Sequence, residues 1–455
     1  MAKPINWKVN LAFIWLVEIC SRAGFSVAVP FIPFYMRDRY MLGEGDVKTS
    51  VMLFGIAGSL ALFFSFPLWG MLGDRKGRRL MLLRATFCSG ILFGAYMFAP
   101  MVGVLILMRF IAGFFSGTVS PAQALVVSTT PEKNHGFALG MLSSSVWVGN
   151  ALGFVLGGFV VKYCQYNDFW DGLFHLDKGS VFVRCWSYNV AFSLTMALFV
   201  LAGLITLFLV RENFVPPPPK PKKDASNGKS FGLAFGGFGC AVYAILGMFL
   251  WMSFARRCDE NYISLLVEVV SGLKGQAAAD IAGYISGIGA VGCFLAAISV
   301  GFISDRCSPR KIIIPIAVVG FLAMLAQAFA PNPWVLGGAR FLTFAVAGGL
   351  EPTVLALLSR ESPPERRGTI FGYCASLRIF GLLLGTVLGR AVMWLCDRFL
   401  HEGQTICGIA VDPSGFGIRG VVFVGALAML TLIPWIFFVE RMVARRHRQL
   451  EEAGN

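Results

Sequence analysis

Charged side chains are scarce. Asp, Glu, Lys and Arg make up 14% of the 455 residues, against about 25% in a soluble domain. That excludes an ordinary soluble globular protein, and equally a disordered chain, which needs polar and charged residues in excess. Histidine is rarer still. The four, His135, His175, His401 and His447, fall in loops or at loop edges, which leaves nothing for a buried catalytic or metal cluster. The eleven cysteines contain no C-x-x-C pair, and no H-E-x-x-H occurs, so the common zinc and dithiol chemistries lack their residues. No metal, cofactor or enzymatic activity is implied.

What is present is apolar surface. Hydrophobic residues reach 56%, with 42 Phe, and the mean hydropathy is +0.70. A membrane-spanning helix needs about 20 mostly apolar residues, while strands of a membrane barrel need only about 10. The runs here are of helical length. We place twelve, near 8–36, 48–73, 79–98, 101–129, 136–163, 186–210, 231–255, 280–303, 311–330, 334–358, 369–396 and 419–439. The first carries Glu18 and Arg22 and has no A-x-A-like site, so it reads as a retained helix rather than a signal peptide. The expected fold class is an all-α membrane protein with twelve transmembrane helices.

A basic, proline-rich stretch, Arg211 to Ser230, interrupts the series with Pro216–Pro219, Lys220, Lys222 and Lys223. It reads as a linker, giving an N-terminal bundle over 1–210, a linker over 211–230, a C-terminal bundle over 231–445 and a tail over 446–455. The net charge is +14. Lys and Arg concentrate in the linker and in the alternate loops that share its side, which by the positive-inside rule places both termini in the cytoplasm. Topology explains the basic balance, and no nucleic-acid partner is needed.

The two halves repeat at a constant offset. Gly70, Asp74, Arg75 and Arg79 recur as Gly301, Asp305, Arg306 and Arg310. Arg109-Phe110 recurs as Arg340-Phe341, and Gly117, Pro121 and Ser128 as Gly348, Pro352 and Ser359. One inserted residue later, Gly136, Gly140, Gly149, Gly153, Gly157 and Cys164 match Gly368, Gly372, Gly381, Gly385, Gly389 and Cys396. Six helices per copy give both copies one orientation, a parallel repeat of two six-helix bundles.

The second and third segments are joined by Gly70-Met71-Leu72-Gly73-Asp74-Arg75-Lys76-Gly77-Arg78-Arg79. This stretch resembles the G-x-L-x-D-R-x-G-R-R loop signature of the major facilitator superfamily. Asp305, Arg306 and Arg310 carry a degraded copy. With twelve spans, a central linker and the repeat, the resemblance covers nearly the whole chain. It implies a secondary transporter of small solutes in which this loop is a conformational latch. Gly149, Gly153, Gly157 and Gly158 resemble the G-x-x-x-G-P-x-x-G-G element of drug/proton antiporters in that superfamily, with Phe154 in place of the proline. Plain close packing of helices explains these glycines as well. Arg109-x-x-x-Gly113 resembles the R-x-x-x-G element on the fourth helix of the same antiporters, which implies a part in proton coupling; a structural ion pair is the other reading. Pro30-x-x-Pro33-x-Tyr35 resembles the first helix of multidrug and tetracycline efflux members.

Only Glu18 and Glu351 are placed inside the membrane among the acids. A dehydrated carboxylate can exchange a proton near neutral pH or bind a cation in its place. Glu18 is the first candidate and Glu351 the second. Arg22, one turn from Glu18, can instead form an internal pair with it, and Glu351 can pair within its own half. By the resemblance, Glu18, Arg109, Arg340 and Glu351 line one central cavity. Glycines 149, 153 and 157, and in the repeat Gly381, Gly385 and Gly389, form helix-packing faces.

Three motifs are set aside. Gly287-x-Gly289-x-x-Gly292 lies within an apolar helix with no preceding strand. Gly228-Lys229-Ser230 lacks the first P-loop glycine, since Lys223 stands there. The aromatic and acidic loop Tyr163–Arg184 reads as an interfacial cap, with a gate as the alternative. Cys164 with Cys185, and Cys396 with Cys407, are close enough in external loops to form disulfides or are simply small apolar residues at helix ends.

The leading expectation is proton-coupled export of small lipophilic or cationic compounds by a monomer in a bacterial cytoplasmic membrane. The surplus of membrane arginines over acids leaves uptake of an organic anion as the rival, and a non-transporting receptor as the rival of another class. The topology carries a test: a fluorescent protein fused to the C-terminus should be bright and a periplasm-dependent phosphatase fused there inactive. The reverse pattern overturns the assignment.

Overall fold

A computed structural model describes residues 6–214, 240–259, 262–273, 276–399, 405–406, 409–410 and 413–454. Eleven helices are long and apolar enough to cross a membrane: α1 (Trp7–Tyr40), α2 (Thr49–Lys76), α3 (Arg78–Phe98), α4 (Val102–Thr129), α5 (Glu132–Tyr163), α6 (Trp186–Phe208), then α8 (Tyr284–Ser304), α9 (Pro309–Ala328), α10 (Pro333–Glu361), α11 (Pro364–Cys396) and α12 (Gly415–Arg445). The seventh, α7 (Cys240–Arg257), follows a stretch outside the described residues. Most of the sequence linker, 215–230, lies outside them too. Its first residues are anchored: the Asn10 side chain accepts from the Arg211 amide at 2.9 Å and donates to the Arg211 carbonyl at 3.1 Å.

The helices group into two compact units. The first contains Met1–Pro131, Met141–Phe214 and Gly368–Ser376; the second contains Glu132–Gly140, Val215–Arg367 and Leu377–Asn455. The division differs from a cut at the linker, because the first turns of α5 and α11 each belong by contact with residues from the other half of the sequence.

Several spans are not continuous α-helix, although each was expected as one run, and three of the interruptions bear on the charged residues. In α1 a 3-10 turn over Val29–Phe31 separates Trp7–Ala28 from Ile32–Tyr40, where Pro30 and Pro33 cannot donate backbone hydrogen bonds. In α4 the helix stops at Phe115 and restarts at Val119. Gly117 there has φ +97°, which a side chain would strain. The Trp69 indole N–H donates to the Phe114 carbonyl at 2.6 Å, one of the acceptors this break frees. In α7 the helix ends at Arg257, and a short helix, Ile263–Ser271, resumes after a turn. The seventh span was expected to close near residue 255 with an external loop beyond it. The chain instead keeps Cys258 and Asp259 buried. A broken helix is tolerated at membrane depth only where its backbone is buried in protein or lines a cavity.

The glycine faces set how closely helices approach. On α5, Gly149 lies against Ile19 and Arg22, Gly153 against Ala23 and Ser26, and Gly157 against Val27 and Phe31. On α11, Gly381 lies against Ser253 and Phe254, Gly385 against Cys258, and Gly389 against Tyr262. The same spacing thus seats α5 on α1 in one unit and α11 on α7 in the other. The first unit is filled by aromatics: Tyr35, Phe93, Tyr96, Phe192 and Phe199 are all buried, and the Tyr35 hydroxyl donates to the Tyr96 carbonyl at 3.0 Å. Cys185 is part of this core. Cys164 and Cys185 are free thiols, the second of the two readings left open for that pair; Cys407 lies outside the described residues. The loop between α5 and α6 contains a short helix, Asp168–Phe174, whose Trp170 and Phe174 pack on Trp186.

A Cβ at Gly157 would sit 2.7 Å from the Val27 carbonyl, whereas nothing lies within 4 Å of Gly158. Overpacking of this kind costs about 1–3 kcal/mol. Gly157→Val should lower the melting temperature of the purified protein by several degrees, and Gly158→Val should leave it unchanged. Equal melting of the two variants would contradict the packing assignment.

Candidate functional site: charged centres on the broken helices

The first unit holds Glu18 fully buried, at 0% exposure. The break in α4 places Thr118 beside it, and the Thr118 hydroxyl donates to Glu18 Oε2 at 3.1 Å. Arg22 Nε lies 3.8 Å from the same oxygen, an ion pair too long for a hydrogen bond. Glu18 Oε1 has no hydrogen-bond partner. Glu18 is therefore half satisfied, and the expected internal pair with Arg22 is present but loose. Gly149 of α5, packed on Arg22 Cβ, fixes the helix face on which the pair sits.

Arg109 forms a separate centre. It is buried on α4, with its guanidinium 5.4 Å from the Phe25 ring centre and 5.2 Å from that of Phe54. Gly58 leaves the space, since a Cβ there would lie 2.5 Å from Arg109 Nε. The alternative of a structural ion pair is not what the geometry gives; among the described residues the cation rests on aromatic faces.

The second unit holds two acid centres. Glu351, on α10, pairs with Arg378 on α11 at 2.5 Å and with Arg256 at the end of α7 at 3.1 Å. It is doubly held, within its own unit. Arg340 does not join it. Arg340 Nη1 instead donates to Asp259 Oδ2 at 2.5 Å, and the Gln327 amide donates to the same oxygen. Arg340 and Asp259 are 2% and 1% exposed. Within each unit these side chains have their own partners: Glu18 with Thr118 and Arg22, Arg109 with the Phe25 and Phe54 rings, Arg340 with Asp259, and Glu351 with Arg256 and Arg378.

Asp259 was not among the acids expected within the spans, yet it is buried. Its neighbours Arg256, Arg257, Glu260 and Asn261 read as an external loop. The signal that could have found it is the apolar run resuming at Ile263, Leu265, Leu266 and Val267, a continuation of the span after a turn. Thr118, Arg256 and Arg378 were missed as partners for another reason: only folding brings them to the acids.

The loop residues form two helix caps. Asp74 accepts from the backbone N–H of Gly368 and of Thr369, and from the Thr369 hydroxyl, each at 2.7 Å. Arg78 lies 3.3 Å away. Gly70 lets the Gly368 backbone approach, and Gly73 admits Met81. Gly77, at φ +103°, turns the chain from α2 into α3, whose first amides, on Arg78 and Arg79, donate to Glu212 at 3.0 and 2.8 Å. The Arg79 side chain donates to the carbonyls of Thr206 and Leu207 at the end of α6. Arg75 is exposed. In the second copy, Asp305 accepts from the amides of Gly136 and Phe137, both at 2.7 Å, with Arg360 at 3.6 Å. Burial pushes the Asp305 carboxyl up, while those two amides and Arg360 pull it down. Arg306 stacks on Phe302, and Arg310 lies 3.9 Å from Glu440. Each aspartate thus neutralises the positive end of a helix.

Twelve helical segments, a parallel repeat and charged residues at broken helices are features of membrane transporters. The family model of the Major Facilitator Superfamily matches residues 14–279 and 262–454. The chain belongs to that superfamily. It is accordingly a multi-pass membrane protein that carries small molecules, not an enzyme. Among curated relatives, the "Multidrug resistance protein MdtG" of Klebsiella pneumoniae is 30% identical over 394 residues, covering 86% of this chain and 88% of the relative. That of Salmonella typhimurium is 29% identical over 398 residues, covering 86% and 90%. Among solved structures, the human organic anion transporter MFSD10 superposes with a TM-score of 0.67 at 13% identity, over 93% of this chain and all of that one. The E. coli fucose:proton symporter FucP gives 0.63 at 15% identity, over 96% and 99%. At such identities these two structures speak for the fold alone.

Removing one partner of a buried ion pair costs about 3–5 kcal/mol, because the other charge is stranded. Asp259→Ala should therefore melt well below the wild type, and Asp259→Ala combined with Arg340→Met should recover part of the loss. An additive double variant would show that the two side chains do not act as a pair.

Proposed function

We propose that this superfamily member exports small lipophilic or cationic molecules in exchange for protons, with Glu18 as the exchanging carboxylate. The carrying observation is the geometry of Glu18: fully buried, held by one hydroxyl and one loose cation, with Oε1 free of any hydrogen bond. A proton on Oε1 breaks no existing bond there. A proton on Glu351 would weaken pairs with two arginines, which makes Glu351 the secondary candidate. A carboxylate that takes either a proton or a substrate's positive charge couples the two movements by competition. The relatives named for multidrug resistance support an export reading.

In this reading the bundles 1–210 and 231–445 are the moving bodies. The caps at Asp74 and Asp305 are the latches that hold and release them as the substrate path opens to one side and then the other. The protein acts as a monomer in a bacterial cytoplasmic membrane, with both termini inside, and Arg109 keeps a fixed positive charge near the proton path. A second reading, movement of an organic anion, has a specific observation behind it: Arg256 and Arg378 share the single carboxylate of Glu351.

The test is proton movement in energised inverted vesicles, read with a pH-sensitive dye across a panel of lipophilic cations and neutral drugs. Addition of a transported compound should release protons in the wild type and not in Glu18→Gln. Full proton release in Glu18→Gln removes Glu18 from the path. Silence of folded protein across the panel, with uptake of an organic anion that is lost in Arg378→Ala, would favour the second reading.

A further inference from the structure

The charged centres above leave unused a half-buried arginine whose nitrogens are shielded. Arg84, on α3, stacks its guanidinium over the Trp69 ring at 3.5 Å from the ring centre. All three of its nitrogens are shielded from solvent, and none has a hydrogen-bond partner among the described residues. Stacking on an indole satisfies the face of the guanidinium but not its N–H groups, which lie in the plane. A guanidinium this deep calls for an anion to accept from it.

The surroundings show where that anion enters. Arg84 lines a narrow, partly open cleft together with Trp69, Arg78, Gly117, Ser120 and Gly368. All belong to the first unit. The cleft contains no acid of its own. Asp74, the acid nearest in sequence, is engaged by the first amides of α11 and by Arg78. The internal repeat sharpens the contrast. Ser120 occupies the position that Glu351 holds in the second half, as Pro121 does for Pro352. At Glu351 a carboxylate is bonded to two arginines. At Ser120 an arginine is present and the carboxylate is not. Gly70, Gly73 and Gly117 also line the cleft.

We infer that Arg84 is the centre of an anion-binding site at the end of the first unit marked by the α2–α3 loop, one that takes the carboxylate or phosphate of a guest in bidentate fashion. The guest's phosphate comes either from an acidic lipid headgroup of the adjoining leaflet or from a soluble anion. Binding there does not depend on the proton-exchange reading of Glu18.

The test uses the full-length purified protein in detergent at low ionic strength, following its thermal unfolding midpoint. Three additions are compared: phosphatidylglycerol, phosphatidylcholine and inorganic phosphate. A rise with phosphatidylglycerol but with neither phosphatidylcholine nor phosphate identifies the lipid source. A saturable rise with phosphate identifies the soluble one. In either case Arg84→Gln should abolish the rise, or raise the apparent Kd at least tenfold. Should Arg84→Gln fold poorly, Ser120→Glu serves in its place, supplying the missing carboxylate from within the chain; it should fold and no longer respond. An undiminished rise in both variants, or no rise in the wild type with either anion, overturns the proposal.

Discussion

A bilayer offers a buried polar group no water, so every broken backbone bond and every charge inside it must be answered by the protein itself. The rest of this structure depends on how that demand is met at three places: the turn in α1, the gap in α4 and the turn in α7. The gap in α4 brings Thr118 to Glu18 and frees a carbonyl that Trp69 takes. The turn in α7 seats Asp259 where Arg340 and Gln327 can reach it. Charge and backbone irregularity occur together because each supplies what the other lacks.

The glycine faces serve the same demand from outside. They bring α5 onto α1 beside Arg22 and α11 onto α7 beside Cys258, closing protein around the polar stretches. A bulkier residue on either face would hold the helices apart and admit lipid to groups that lipid cannot solvate. Packing and electrostatics are thus one arrangement in this chain, repeated in each unit with different charges.

Most of the architecture could be read from the sequence because its signals are local. Apolar runs of helical length, the loop glycines and arginines, and the matched Asp74 and Asp305 all survive in one dimension. Breaks inside spans do not. Arg256 to Asn261 has the composition of a loop, and only the burial of Asp259 tells it apart from one. The pairings were legible where they run along a single helix, as for Glu18 and Arg22. They were illegible where α7, α10 and α11 must converge, as for Arg256, Glu351 and Arg378. Arg211 and Glu212 read as linker for the same reason, since their partners Asn10, Arg78 and Arg79 are remote in the chain.

Arg109 has a consequence of a different kind. A cation balanced by a carboxylate loses its influence at a distance, because the pair is nearly neutral. A cation balanced by the quadrupoles of Phe25 and Phe54 keeps a full unit of charge, and the short reach of a quadrupole cannot cancel it beyond the rings. The first unit therefore carries a standing positive potential centred on Arg109. Glu18 and Arg22 largely cancel each other, so Arg109 is the charge of this group whose field reaches furthest.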